Sequence, residues 1–299
     1  MRATESLYTK IQRDDSLMET LDRGNNEYPF YYYMEDMSQF DFNCVDWHWH
    51  KEFEFVWIKK GDVTFYIGDE QLTLHEDQAI MMNSKVLHEM KSVESAIIPN
   101  FLFNPELLAA PESALYDKYI TPILNSTMNY VVFDNSELWR EEILSIIKEI
   151  DNGYENRTMN EITTSSLLLK LWSILADNID LSEYPPRANS EIEVEARLQI
   201  MMQYIHANYS SSISLEEIAT SANIGKSSAL NYFGRILHTS PVNYLIDYRL
   251  KQAAQMLLST STTISQIAEQ SGFDNVGYFC RKFKTIYGMT PTEYRKRQK

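Results

Sequence analysis

The stretch WHWHKEFEF at residues 47–55 places His48, His50 and Glu54 within one short apolar run. Two imidazoles and a carboxylate at that density are what a metal enzyme uses to hold its ion. A sensor of polar small molecules uses the same groups, because they donate and accept hydrogen bonds. The choice between the two depends on what positions these residues and on what the rest of the chain does.

The surroundings read as strands. Between Tyr28 and Phe103, short aromatic and β-branched runs alternate with turn residues, and Gly61-Asp62 and Gly68-Asp69 mark hairpins. In EFEFVWI, Glu54, Val56 and Ile58 share one face and Phe53, Phe55 and Trp57 the other. Such a strand is buried on both sides, as in a barrel wall that is also covered from outside. After FNPELL the period becomes helical. Residues 136–151 place Leu138, Ile143, Ile146, Ile147 and Ile150 on one stripe with Ser136 as cap, and residues 161–177 form a second, more apolar helix. This pair needs a partner: each other, the barrel or a second subunit.

At 299 residues the chain suits two domains. The reading is a multidomain α+β protein with an N-terminal arm (1–27), a β-barrel (28–110) and a helical connecting and dimerisation segment (111–181). A linker (182–192) holds the two prolines of SEYPPRANS, and an all-α domain (193–299) completes the chain. No leader-like start and no apolar run of about eighteen residues is present, which predicts a soluble protein with no membrane partner. Only Cys44 and Cys280 occur, so no disulfide framework is available and a cytoplasmic location is expected.

The net charge of −15 hides an asymmetry. Residues 1–189 carry −18 and residues 190–299 carry +3, rising to +6 when counted from Arg197. An acidic domain ahead of a basic one is the charge layout of a DNA-binding module attached to something else.

The basic part is a repeat. LEEIATSANIGKSSALNYFGRIL at 215–237 has a counterpart in ISQIAEQSGFDNVGYFCRKFKTIY at 264–287. Each half is a short helix, a small turn and a second helix centred on Phe233 or Phe283, which makes two helix-turn-helix units at about 213–237 and 263–287. Start signals stand at Ser214 to Glu217, Thr263 to Gln266 and Thr290 to Glu293. In each unit the second helix would enter the major groove of double-stranded DNA. Its outward residues are Ser227, Ser228, Asn231 and Arg235 in the first unit, and Gly277, Cys280, Arg281 and Lys284 in the second. Arg281 suits base reading, because a guanidinium pairs bidentately with guanine; Arg235, Lys282 and Lys284 suit phosphate.

These residues, above all YFCRKFKTIYGMTPTEYRK together with SPVNYLIDYRLKQAAQMLL, resemble the DNA-binding domain of the AraC/XylS family of transcription regulators. Departures cluster in the first unit, at Ala229, Asn231, Gly234 and His238. The N-terminal pattern H-x-H-x3-E-x6-G, from His48 to Gly61, resembles the first motif of the cupin barrel, and His88 stands where the second motif places a histidine. Asp77, Asn83 and Lys85 occupy that motif's usual Gly and Pro positions.

The resemblances imply a cupin-like sensor barrel in which His48, His50, Glu54 and His88 converge. These four could hold a divalent metal, bind a polar effector such as a sugar, or satisfy one another. They also imply a homodimer that recruits RNA polymerase, more in keeping with an activator than a repressor. The rival classes are a metal-dependent cupin dioxygenase or isomerase with an interaction module behind it, and a redox sensor acting through Cys280.

Overall fold

The computed structural model describes Met18 and residues 28–297; apart from Met18, the arm at 1–27 lies outside the described residues. The chain forms two compact units, one running to Asn189 and the other beginning at Ser190. No helix among the described residues is long and apolar enough to cross a membrane.

Among the described residues the first unit has nine strands: β1 (Phe30–Asp36), β2 (Cys44–His48), β3 (Phe53–Trp57), β4 (Val63–Ile67), β5 (Glu70–Leu74), β6 (Ala79–Met82), β7 (His88–Lys91), β8 (Ile97–Phe103) and β9 (Tyr130–Phe133). They pair in two sheets, ordered β1-β8-β3-β6-β9 and β2-β7-β4-β5. β9 falls in the segment where only helices were expected. Its four residues complete the sheet by pairing with β6, a tertiary event that so short a run does not announce.

The two-sided strand is β3. Val56 and Ile58 join Val63, Phe65, Ile67, Ile80, Met82, Met90 and Ile98 in the interior between the sheets. Phe53 and Phe55 join Phe101, Phe103 and Phe133 on the outer face, against a layer of helices. That layer comprises α1 (Ala114–Tyr119), α2 (Thr121–Leu124), α3 (Leu138–Glu155) and α4 (Glu161–Asn178). Ile143, Ile146, Ile147 and Ile150 of α3 and Leu168, Leu171, Trp172 and Leu175 of α4 meet the phenylalanines, so the barrel is the helices' partner. Leu138, expected on this stripe, is 85% exposed at the helix start. Ser136 does not cap α3, because its N–H and Oγ both donate to Asp134 Oδ1. The barrel-to-helix seam also has a polar latch. The half-buried Lys59 Nζ lies 3.0 Å from Asp151 and 2.9 Å from Glu155, and Tyr32 Oη donates to Asp151 at 2.6 Å.

The segment expected as a linker is tied down over its prolines. Thr127 N–H donates to the Pro185 carbonyl at 2.8 Å and Arg187 N–H to the Asn125 carbonyl at 2.9 Å. Helix α5 (Asn189–Asn208) follows at once.

The second unit continues with α6 (Leu215–Ser221), α7 (Lys226–Ile236), α8 (Pro241–Ser259), α9 (Ile264–Gln270), α10 (Val276–Tyr287) and α11 (Pro291–Arg297). Reciprocal capping boxes open α6 at Ser214/Glu217 and α9 at Thr263/Gln266, and the same exchange joins Thr290 and Glu293 at α11. The turns of the two helix-turn-helix units both need a left-handed residue: Asn223 at φ 55° in the first and Gly272 at φ 84° in the second. At Gly272 a Cβ would stand 2.4 Å from the Tyr209 carbonyl oxygen and 2.7 Å from Arg249 Nε. Arg249 itself clamps this corner by donating to the Tyr209 and Ser211 carbonyls, each at 2.7 Å.

Strain and close approach therefore coincide at Gly272, whereas Asn tolerates the conformation at 223. Gly272→Ala is expected to lower unfolding stability of the second unit by about 2 kcal/mol or more, and Asn223→Gly to change it by less than about 1 kcal/mol, in chemical denaturation followed by circular dichroism.

Candidate functional site

His48 ends β2, His50 lies in the loop that carries the chain to the other sheet, Glu54 is on β3 and His88 begins β7. The structure brings all four together, and each is at most 2% exposed. His48 and His88 are direct cross-strand partners, with ring centroids 4.1 Å apart. An irregularity in β2 between Val45 and His48 sets that register, and such a break re-aims a side chain. The His50 loop is held from below: Lys85 N–H donates to the His50 carbonyl at 2.7 Å and Ser84 Oγ to the Lys51 carbonyl at 2.8 Å.

Each imidazole uses Nδ1 in the same way. His48 Nδ1 lies 2.8 Å from the Asp46 carbonyl oxygen, His50 Nδ1 3.1 Å from that of Glu52, and His88 Nδ1 2.9 Å from that of Val86. A carbonyl only accepts, so Nδ1 carries the proton in all three rings, and in a neutral ring Nε2 then presents a lone pair. His50 Nε2 and His88 Nε2 stand 3.2 Å and 3.1 Å from Glu54 Oε2. The His88 approach is off the line of a hydrogen bond, and among the described residues its Nε2 has no partner.

Burial pushes the Glu54 carboxyl up, but a proton on Nε2 of the facing His50 and His88 outweighs it and holds the group well below the usual carboxylate range; where those rings are neutral, their lone pairs face the carboxylate instead. Burial, and then the neighbouring His88, lower the His48 imidazole well below its usual value. One ligand atom from each of the four residues lies within 4.8 Å of the others. Fixed Nδ1–H tautomers, three inward Nε2 atoms, one of them orphaned, and a buried carboxylate form a donor set that fits a divalent transition-metal ion.

Residues unnoticed in the sequence extend this face. By strand register, Tyr33, Asn100 and Val56 stand side by side, as do Tyr31, Leu102 and Glu54. Asn100 is 3% exposed; its Nδ2 donates to Glu35 Oε2 at 2.9 Å, while its Oδ1 has no partner among the described residues. A lone Asn in the apolar run IIPNFLF was the available signal.

In the second unit, α7 exposes Ser227, Asn231 and Arg235, with Ser228 half-buried, and its Ala229, Phe233 and Ile236 face the core. Lys226 at its start pairs with Glu216 at 2.7 Å. Helix α10 is capped by Asn275, whose Oδ1 accepts from the Tyr278 N–H at 2.8 Å. It exposes Gly277, Arg281 and Lys284, while Lys282 is half-buried with Nζ 5.8 Å from the centre of the Tyr278 ring. Cys280 does not lie on the open face. It is half-buried and packs against the core of Phe279, Phe283 and their neighbours, because it sits at the edge of the inward stripe.

Residues 38–123 match the AraC-like ligand binding domain, and residues 218–297 match a helix-turn-helix domain. The chain is 30% identical over 287 residues to the HTH-type transcriptional regulator YdeC of Bacillus subtilis, covering 95% of this chain and 97% of that one. It is 28% identical over 156 residues to the lactose operon transcription activator of Staphylococcus xylosus, covering 52% and 54%. A crystal structure of ToxT from Vibrio cholerae O395 aligns over 89% of this chain and 97% of its own, at 13% identity and a TM-score of 0.43.

Burial raises the Cys280 thiol above its ordinary value, which depletes the reactive thiolate near neutral pH. Alkylation of Cys280 by iodoacetamide at pH 7.5, read by peptide mass spectrometry, should be about tenfold slower in the folded chain than in the denatured one. Equal rates would put the thiol back on an open face.

Proposed function

The chain belongs to the AraC family of transcriptional regulators, and from that premise we propose that α7 and α10 read double-stranded DNA while the barrel holds the input. The observation that carries the DNA reading is the repeated unit whose second helices turn Ser227, Asn231, Arg235, Gly277, Arg281 and Lys284 to solvent. Two such helices suit successive major grooves, about 34 Å apart on one face of the duplex. Arg281 is assigned to a base edge, Arg235, Lys282 and Lys284 to phosphate, and Asn231 and Ser228 to supporting contacts. Close approach at Gly277 would let the backbone near the groove wall.

For the barrel, the geometry supports an ion at His48, His50, Glu54 and His88 over a sugar held by the same atoms. Gaps of 3.1–3.2 Å between Glu54 and two imidazoles leave no room for a hydroxylated ring, whereas an ion would take up the orphaned Nε2 and offset the carboxylate. Bound there, it would supply a Lewis-acidic centre for an oxygen of an effector. The effector itself we assign to the adjoining inner face, where Asn100 Oδ1 is an acceptor awaiting a donor and Tyr31, Tyr33 and Glu35 share the wall. That chemistry suits a polyhydroxylated molecule, in line with a relative named for the lactose operon. None of the relatives named is an enzyme, and the dioxygenase or isomerase reading gains no support.

A homodimer is part of this reading. Ile162 and Leu169 of α4 and Leu115 and Tyr119 of α1 are 40–83% exposed and could cover one another in a second copy. Paired half-sites, activation through RNA polymerase and a cytoplasmic setting complete the proposal.

Full-length protein bound to a duplex selected from a random library tests the DNA assignment. Arg281→Ala should weaken binding to the selected site about 10- to 100-fold with little loss on random DNA, and Lys284→Ala should weaken both and reduce the salt slope by about one. Unchanged binding in both variants would defeat it. The ion assignment predicts that chelator changes the affinity of the wild type for that duplex and leaves His50→Ala unaffected, measured by fluorescence anisotropy.

A further inference from the structure

Asn83 follows β6 directly and is buried. Its Nδ2 donates to the carbonyls of Ile123 at 2.8 Å and Met128 at 2.9 Å, its N–H donates to the Asn129 carbonyl at 2.9 Å, and its Oδ1 accepts from the Ser84 N–H at 2.8 Å. Moving the side chain alone would strip its own Nδ2 and Oδ1, the Met128 carbonyl and the Ser84 N–H of these partners in the interior, while the Ile123 carbonyl would keep Ser126 Oγ. Asn83 and the segment Ile123–Asn129 are thus obliged to move together.

On one side this node touches the wall of the histidine site. Met82, its neighbour, pairs with Glu54 across β6 and β3, and Ser84 and Lys85 hold the carbonyls of Lys51 and His50. On the other side the same segment is gripped by Arg187. The guanidinium donates through Nε to the Ser126 carbonyl and through Nη2 to Asn129 Oδ1, both at 3.0 Å. The Arg187 N–H donates to the Asn125 carbonyl, and Ser126 and Pro186 form a β-bridge. Helix α5, the first of the second unit, begins at Asn189.

We propose that Asn83 and Arg187 are positioning residues that carry the state of the His48–His50–Glu54–His88 site to the connector entering α5. The proposal rests on the reading of that site as the regulator's input. A change in how Glu54 is held shifts the end of β3 and its partner Met82, Asn83 transmits the shift to Ile123–Asn129, and the planar fork of Arg187 passes it to the backbone at 185–187. The Asn83 end of the path is buried and the Arg187 hydrogen bonds are half-buried, while Asn125, Pro185 and Pro186 lie at the surface.

Amide hydrogen exchange of the full chain, with neither ligand nor DNA, tests the path. Glu54→Gln perturbs the input, and the Thr127 and residue-187 amides report the output, since both donate across the connector contact. In the otherwise unchanged chain Glu54→Gln should speed exchange of both amides by about threefold or more. In an Asn83→Ala background it should move neither. In an Arg187→Ala background it should still move Thr127 but not residue 187. No response in the unchanged chain, or a residue-187 response that survives either background, overturns the proposal. If Asn83→Ala lacks a cooperative melt, the Arg187→Ala arm decides by the same criterion. Failure of the input reading shows separately, as DNA binding indifferent to chelator.

Discussion

A carboxylate enclosed by protein must be matched by partners, since an uncompensated buried charge costs on the order of several kcal/mol. Glu54 is enclosed because β3 is covered on both faces, by the second sheet on one side and by helices on the other. Much of the N-terminal unit can be read as the means of matching it. The irregularity in β2 turns His48 toward His88, the loop after β2 swings His50 across to the other sheet, and the Lys85 amide fixes that loop by its carbonyl. With every Nδ1 committed to a carbonyl, the three rings have no freedom to turn their other nitrogen away from the centre. The resulting cluster is over-determined by backbone, which is how a binding site keeps its geometry when empty.

The same strand joins the proposed input site to the helical layer. Glu54 faces the site, while Phe53 and Phe55, its neighbours, seat α3 and α4. The segment between α2 and β9 lies against Asn83 on one side and against the connector on the other. The second unit begins at Ser190, directly after this connector.

Local alternation was enough to read β3 correctly, because the inward set of Glu54, Val56 and Ile58 and the outward set of Phe53 and Phe55 require no knowledge of what covers them. The convergence of His48, His50, Glu54 and His88 was implied by the cupin resemblance, and the caps at Ser214, Thr263 and Thr290 were visible in spacing, because donor and acceptor lie within one turn. Ser136 misled because Asp134, two residues earlier, competes for it. Strand β9 was invisible because its reason to exist is β6. The prolines marked the linker between the units, whose boundary falls within it, but not its anchoring, which uses the Pro185 carbonyl that proline retains. Asp77 and Lys85, where the cupin pattern usually has Gly or Pro, both adopt positive φ, at 72° and 64°. Positive φ is the conformation that glycine takes without strain, and residue types alone conceal it here. Cys280 sits at the margin between exposed and core stripes, where helical periodicity alone does not assign a face.

The four inward ligand atoms are proposed to hold a cation. X-ray absorption at the first-row metal edges, on full-length protein purified without chelator or affinity metal, asks this directly. The predicted result is about one equivalent of a single divalent metal whose fine structure carries the outer-shell scattering of imidazole rings, and whose edge disappears in Glu54→Ala or His50→Ala. Wild-type protein that binds its operator while carrying only trace metal would contradict it.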